Sequence, residues 1–151
     1  MMDLNNLKSI IMLSYLKDDM LEKIVKISHI KTYKSGDYIF YEGDKAKNIY
    51  SVIHGKVGLE IEKNSSTQIL INDITMGMTF GFSALVNTKD KDYITSAKAL
   101  SDTKLFMWKA EELESLFSKD YEMGFLFMKR IAKIIKTRLQ IRNVQFIDIY
   151  K

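Results

Sequence analysis

The sequence predicts a mainly β fold with flanking helices: an antiparallel β-roll set between a short helical N-terminus and a long C-terminal helix. Three observations carry this. Apolar residues recur at a period of two through the middle of the chain, glycines in polar turns punctuate that stretch, and the period is helical on both sides of it. The 151 residues contain no proline and no low-complexity linker, and 46% of them are hydrophobic, which suits one domain with one well-formed core.

The N-terminal helices come first. Leu4, Leu7, Ile10 and Ile11, then Leu21, Ile24 and Val25, recur at helical spacing with lysines and glutamates between them, predicting two short helices over residues 1–30. Asp18 and Asp19 stand where the second would begin, beside the positive end of its dipole. His29 closes this stretch.

The strands follow over residues 31–109, in runs rich in branched and aromatic residues: Tyr38-Ile39-Phe40, Ile49 to Ile53, Val57 to Ile61, Gln68 to Ile71 and Lys104 to Trp108. Gly36, Gly43 and Gly55 each sit in a polar turn (KSGD, YEGDK, IHGKV), where a residue able to take positive φ lets the chain reverse. From Lys109 the pattern is helical again, with a short helix over Glu111 to Phe117 and a long one from about Met123 to about Phe146.

Composition removes several function classes. With no cysteine, the chain has no disulfide, thiolate zinc site or cysteine-ligated iron–sulfur cluster. There is no signal-like N-terminus and no apolar run near the roughly eighteen residues of a membrane span, so a cytoplasmic location without membrane partners is expected. His29 and His54 are the only histidines, too few for a metal or haem site, and Ser83 and Ser96 have no histidine or lysine spaced to activate them. No metal and no enzyme activity are expected. The net charge of +4 is modest, and Lys129, Arg130, Lys133 and Lys136 read as a solvated helix face rather than a nucleic-acid contact. The nine methionines, among them Met76, Met78, Met107, Met123 and Met128, read as core fillers.

The segment Tyr33 to Leu59, YKSGDYIFYEGDKAKNIYSVIHGKVGL, closely resembles the glycine-punctuated first half of the cyclic-nucleotide-binding domain family. Ile74, Gly77, Phe80-Gly81, Ala84-Leu85, Ala97-Lys98-Ala99-Leu100 and Leu105 to Trp108 continue the match, so the likeness covers nearly the whole chain. It is most similar to the N-terminal sensor domain of CRP/FNR-family transcription regulators. The resemblance implies a double-stranded β-helix, or jelly-roll, over residues 31–109, with a phosphate-cassette-like segment at 77–100. Residues 110–151 become a short helix followed by a long dimerisation helix.

In that family a tight Phe-Gly turn opens a short helix whose backbone N–H groups face the ligand phosphate. The resemblance places this turn at Thr79-Phe80-Gly81-Phe82-Ser83-Ala84-Leu85, so the amides of Gly81, Phe82, Ser83 and Ala84 are candidate anion donors. Members that bind cyclic nucleotides carry a glutamate after the glycine, for the ribose hydroxyl, and a downstream arginine for the phosphate. Here Phe82 stands at the first place, and Tyr93, next to Ile94, at the second, or Asp92 if the loop is one residue shorter. A phenyl ring accepts no strong hydrogen bond, and neither phenol nor carboxylate replaces a bidentate cation. Each lost charge-assisted bond is worth on the order of 1.5–3 kcal/mol, so tight binding of cAMP or cGMP is not expected: the loss is roughly 10²–10⁴-fold.

Projected at helical spacing, Phe127, Ile131, Ile134, Ile135, Leu139, Phe146 and Ile149 fall on one face of the long helix, with Arg138, Arg142 and Gln145 inside the same stripe. The equivalent helix forms the homodimer seam in CRP/FNR regulators, which makes Phe127, Ile131, Ile134, Ile135, Arg138, Leu139 and Arg142 the expected interface. The arginines can snorkel or pair across a dimer. Alternatively Arg138 faces the pocket, because the resemblance puts Thr137 and Arg138 on the two polar positions that contact the ligand base.

Two readings of the pocket stay open: a small anionic effector held by the Gly81–Ala84 amides and Arg138, or a vestigial site plugged by Phe82 and Tyr93. Asn143 to Lys151, NVQFIDIYK, resembles the hinge leading into a helix-turn-helix domain, which implies DNA as a partner through a C-terminal domain absent from this chain. The function expected is effector sensing and dimerisation in a CRP/FNR-type regulator. The alternative is a stand-alone module binding another small anionic ligand or a protein partner.

Overall fold

The computed structural model describes residues 4–86 and 89–150. The chain opens with α1 (Leu4–Lys8), a 3-10 turn at Ile11–Leu13 and α2 (Asp18–Lys26), whose first turn carries Asp18 and Asp19 as expected. Eight strands follow: β1 (His29–Tyr33), β2 (Tyr38–Phe40), β3 (Asn48–His54), β4 (Val57–Asn64), β5 (Thr67–Ile74), β6 (Thr79–Phe80), β7 (Ser96–Ala99) and β8 (Thr103–Lys109). They form two four-stranded antiparallel sheets, ordered β1-β8-β3-β6 and β2-β7-β4-β5. The chain ends in α3 (Ala110–Lys119) and α4 (Tyr121–Ile149).

The mainly β fold with flanking helices is therefore as the sequence predicts, and the period of two explains it. Along β8, Leu105 and Met107 point into the roll, where they meet Val52 of β3 and Phe80 of β6 from one sheet and Phe40, Val57, Leu59 and Ala97 from the other. The alternate residues Phe106 and Trp108 face outward and pack with Ile49, Leu13, Leu21 and Ile24 under the N-terminal helices, and with Leu113, Met123, Phe127 and Ile131 of α3 and α4. One strand thus serves two apolar cores, which is what alternating side-chain direction allows. Trp108 Nε1 donates to Ser28 Oγ at 2.6 Å, tying the strand to the end of α2.

The helical N-terminus is shorter than its apolar spacing suggested. α2 stops at Lys26, and His29 and Ile30 already pair with Met107 and Phe106 of β8. His29 begins a strand rather than ending a helix, because edge pairing satisfies its backbone where the helical pattern offers Ile30 no core to enter. Gly36, Gly43 and Gly55 do take positive φ, of 95°, 90° and 96°.

α4 begins at Tyr121 because Asp120 caps it, its carboxylate accepting from Met123 N at 3.0 Å. Its 29 residues span about 44 Å. Gly124 lets α3 and α4 cross closely, since a Cβ there would lie 3.0 Å from Phe117 Cβ. Among the described residues no helix is long and apolar enough to cross a membrane.

Candidate functional site

The site forms where α4 passes over the roll. β6 ends at Phe80, Gly81 takes φ +87°, and the chain then makes a single 3-10 turn over Phe82–Ala84. Ala99 N to Asp37 O and Gly36 N to Ala99 O, at 2.8 and 2.7 Å, hold the far end of the roll. Between the Gly81 turn, the loop at 90–95 and α4 lies a cavity of about 390 Å³. Gly81, Phe82 and Ser83 border it from the turn, Tyr93, Ile94 and Thr95 from the loop, Phe40, Leu59 and Ile71 from the roll, and Ile135, Arg138, Leu139 and Arg142 from α4.

Arg138 is its most distinctive wall. Its guanidinium lies over the Phe82 ring, 5.1 Å from the centroid, and Nη2 donates to the main-chain oxygen of Thr79. Burial disfavours the charged form and pulls its pKa down to about 10, so the cation persists at neutral pH at a desolvation cost. One helical turn on, Arg142 Nη2 donates to Asn72 Oδ1 at 3.1 Å, and beyond it Gln145 Nε2 donates to Ile71 O at 3.2 Å. The Nε atoms of Arg138 and Arg142 are buried with no acceptor among the described residues. This polar stripe is bound to the chain's own roll, which answers how arginines fit within an apolar face.

Tyr93 is built into the roll. Its ring stacks on Phe40 with centroids 3.6 Å apart, and its hydroxyl donates to Asn48 O at 2.6 Å and accepts from Asn48 N at 3.2 Å. Its own backbone is held too, N to Asp44 O and O from Gly43 N, both 2.9 Å. Burial raises its phenol pKa. Asp92, the alternative occupant, also borders the cavity but pairs with Lys45 at 2.8 Å. Neither residue presents a cation, and the aromatic side chains leave the cavity open rather than filling it.

Several expected site residues lie elsewhere. Thr137 is exposed, and its hydroxyl donates back to Lys133 O at 3.1 Å, so it does not border the cavity. Ala84 is fully buried in the roll and its N–H is used on Gly81 O at 3.2 Å, which removes it as an anion donor. Phe127 and Ile131, each 1% exposed, are consumed by the chain's own helical core, and Ile134 packs against it, because the first half of α4 faces the N-terminal helices. Ile135, Leu139 and Arg142, expected at the seam, border the cavity; Leu139 remains 58% exposed. Beyond it Val144, Phe146, Ile147 and Ile149 are exposed. Asn87 and Thr88 of the 77–100 segment, and Lys151 of the expected hinge, lie outside the described residues.

Sequence reasoning missed the pocket roles of Asn72, Ile71 and Arg142, although Arg142 stands four residues after Arg138 and so on the same face. Of the basic residues expected on a solvated helix face, Lys129, Lys133 and Lys136 are exposed and Arg130 is half-buried. The Arg130 guanidinium and Lys133 ammonium also sit over the Tyr15 ring, 5.0 and 4.9 Å from its centroid, and Arg130 Nε donates to Ile11 O at 3.2 Å. No group of three or more acidic, histidine or cysteine side chains among the described residues is placed to hold a metal.

Comparison with known proteins matches this architecture. A family model described as the cyclic nucleotide-binding domain covers residues 30–120. The global nitrogen regulator of Nostoc sp. is 22% identical over 120 residues, 79% of this chain and 54% of that protein, so the chain spans about half the length of that relative. A crystal structure from Geobacter metallireducens GS-15 superposes with a TM-score of 0.80 at 25% identity, covering 92% of this chain and 99% of that one. The Thermus thermophilus catabolite activator protein gives a TM-score of 0.75 at 22% identity, with 92% of this chain and 62% of that one covered.

Proposed function

The chain belongs to the cyclic nucleotide-binding domain family, and from that premise we propose that it is the effector-sensing and dimerisation domain of a CRP/FNR-type transcription regulator whose effector is a small anion other than a cyclic nucleotide. The observation that carries this is the Arg138 guanidinium, which enters the pocket from α4, on the side away from Tyr93. In this reading the ligand cation stands on the other side of the pocket: Tyr93 and Asp92, the two candidates for the family's arginine place, are held by Asn48 and Lys45, while a buried arginine without a carboxylate partner among the described residues stands on the helix.

The mechanism follows from the elements that meet there. An anion between the Gly81 turn and α4 is attracted to Arg138 and Arg142, both of which also hold α4 to the roll through Thr79 and Asn72. Occupancy therefore changes how firmly α4 sits, and the exposed Leu139, Val144, Phe146, Ile147 and Ile149 of its far half transmit that change to a second copy of the chain. DNA is the proposed partner of the whole protein, through a domain other than this one.

Isothermal titration with a panel of anionic metabolites, on wild type and Arg138→Ala, tests the reading. One or more anions should bind wild type and lose at least tenfold in the variant, with cAMP and cGMP weak on both. Identical behaviour of the two proteins towards every ligand would overturn it.

A further inference from the structure

The pocket's walls say what kind of anion fits. We propose that the ligand is an amphipathic organic acid, a single carboxylate carried on an apolar body, with the carboxylate between Arg138 and Arg142 and the body against the roll. The proposal rests on the reading of Arg138 as a ligand contact and adds the chemistry of the rest of the molecule.

Size is the first argument. A cavity of about 390 Å³ is of the size that takes a small organic molecule, more than an inorganic anion fills. Composition is the second. Phe40, Leu59 and Ile71 form the roll side and Ile135 and Leu139 the helix side, all apolar. These apolar walls offer a ligand's hydroxyls no partner: Phe82 presents a ring, and the Tyr93 hydroxyl is already occupied at both Asn48 N and O. An apolar body, in contrast, displaces water from those walls with gain.

The cations of the lining both come from α4. Arg138 and Arg142, a helical turn apart, each commit one Nη to the roll and leave a buried Nε–H without an acceptor among the described residues. A carboxylate has two oxygens and can accept charge-assisted bonds from both arginines, which border the cavity. Two cations on the helix and two carboxylates, Asp90 and Asp92, on the loop side leave the lining with little net positive charge, which suits a monoanion better than a polyanion.

The test is a chain-length series of acetate, butanoate, hexanoate and octanoate, with 1-octanol, inorganic phosphate and succinate as comparators, titrated calorimetrically into the intact chain. Octanoate is expected to bind at one site per chain, tighter than acetate by roughly threefold to fourfold per methylene and tighter than octanol. Arg138→Met and Arg142→Met, which keep the aliphatic stem, should each weaken octanoate at least tenfold. Val86→Trp, at a cavity-lining position 43% exposed and so tolerant of bulk, should weaken it by obstruction, with melting curves confirming that each variant folds. If phosphate or succinate binds in an Arg138-dependent way and octanoate binds no better than acetate, the amphipathic ligand is overturned and the anion reading stands. If neither the fatty acids nor the polar anions bind, both fall. Octanoate binding untouched by all three substitutions would place it on the exposed face of α4 and overturn the proposal equally.

Discussion

The Arg138 guanidinium lies over the Phe82 ring at 5.1 Å. Two departures from the family's pattern thus face each other: an aromatic ring where a glutamate stands in cyclic-nucleotide binders, and a cation arriving from the helix. A glutamate at 82 would pair with Arg138 and close the site to anions, whereas a ring supports the guanidinium through its π face and leaves N–H groups in its plane free to bond. The pair is the basis of the proposed preference for another anion over a cyclic nucleotide.

Replacing Arg138 with methionine separates stability from binding. Burial holds the guanidinium pKa at about 10, below the ordinary 12.5, so the folded chain binds this proton less tightly than the unfolded one. Between those two values the unfolded state carries more protons, and this group's contribution to stability rises with pH; below them, at neutral pH, the full cost of burying the charge is present. Arg138→Met should therefore leave the ligand-free protein unchanged or more stable by up to about 2 kcal/mol in thermal unfolding, despite losing the bond to Thr79. A loss of stability greater than that would mean the latch outweighs the desolvation.

Tyr93→Phe keeps the stack on Phe40 and removes the hydroxyl held by Asn48. The expected cost is about 1–2 kcal/mol in chemical denaturation, with little change in anion binding. Binding that disappears together with the hydroxyl would give Tyr93 a ligand role.

Alkaline pH should weaken the fold through its buried tyrosines. Burial raises the phenol pKa of both Tyr50 and Tyr93 above the ordinary 10.0. An acid harder to ionise when folded contributes stability that is whole below 10.0 and is lost as pH rises through the folded values. Stability measured in urea should decline from about pH 10 upward, and less steeply in Tyr93→Phe. A decline of equal slope in both proteins would assign it to other groups.

Glycine-to-alanine substitutions should follow the space around each site. All of Gly36, Gly81 and Gly55 have positive φ, so each costs about 1 kcal/mol in backbone strain. A Cβ at Gly36 meets nothing, at Gly81 it lies 3.2 Å from Asn48 O, and at Gly55 only 2.5 Å from Asp102 O. Melting temperatures should fall in the order Gly36, Gly81, Gly55, the last by most.

Self-association should depend on the far half of α4. Leu139 and Val144 are 58% and 60% exposed, so aspartate at both should convert a dimer to a monomer by light scattering while circular dichroism is unchanged. Aspartate at Phe127 or Ile131, in contrast, should unfold the chain.

Most of the fold was legible because alternation and helical spacing are local signals. β3, β4 and β8 fall where branched and aromatic residues alternate, and Asp18 and the polar glycine turns mark ends that need only their immediate neighbours. β1 was not legible, since His29 and Ile30 continue a helical spacing and become a strand only by pairing with Phe106 and Met107. The site divided in the same way. Phe82, and Tyr93 or Asp92, could be placed from motif spacing, and the expectation that they do not hold a cyclic nucleotide follows from side-chain chemistry. Thr137 and Arg138, adjacent in sequence, could not be told apart, because neighbouring helix positions point about 100° apart and only docking on the roll decides which is turned inward.

Local patterns in the sequence suffice for a β-roll between helices and a glycine turn at Gly81, while the lack of a pocket acid and cation is what the family resemblance implies. The tertiary structure alone decided that Tyr93 belongs to the core, that Phe127 and Ile131 are used within one chain, and that Arg138 and Arg142 reach the pocket. The physical reason is the direction of α4. One apolar stripe of 29 residues meets the N-terminal helices first, then the roll, and then solvent, and a periodic pattern records that a face is apolar without recording what each turn of it touches.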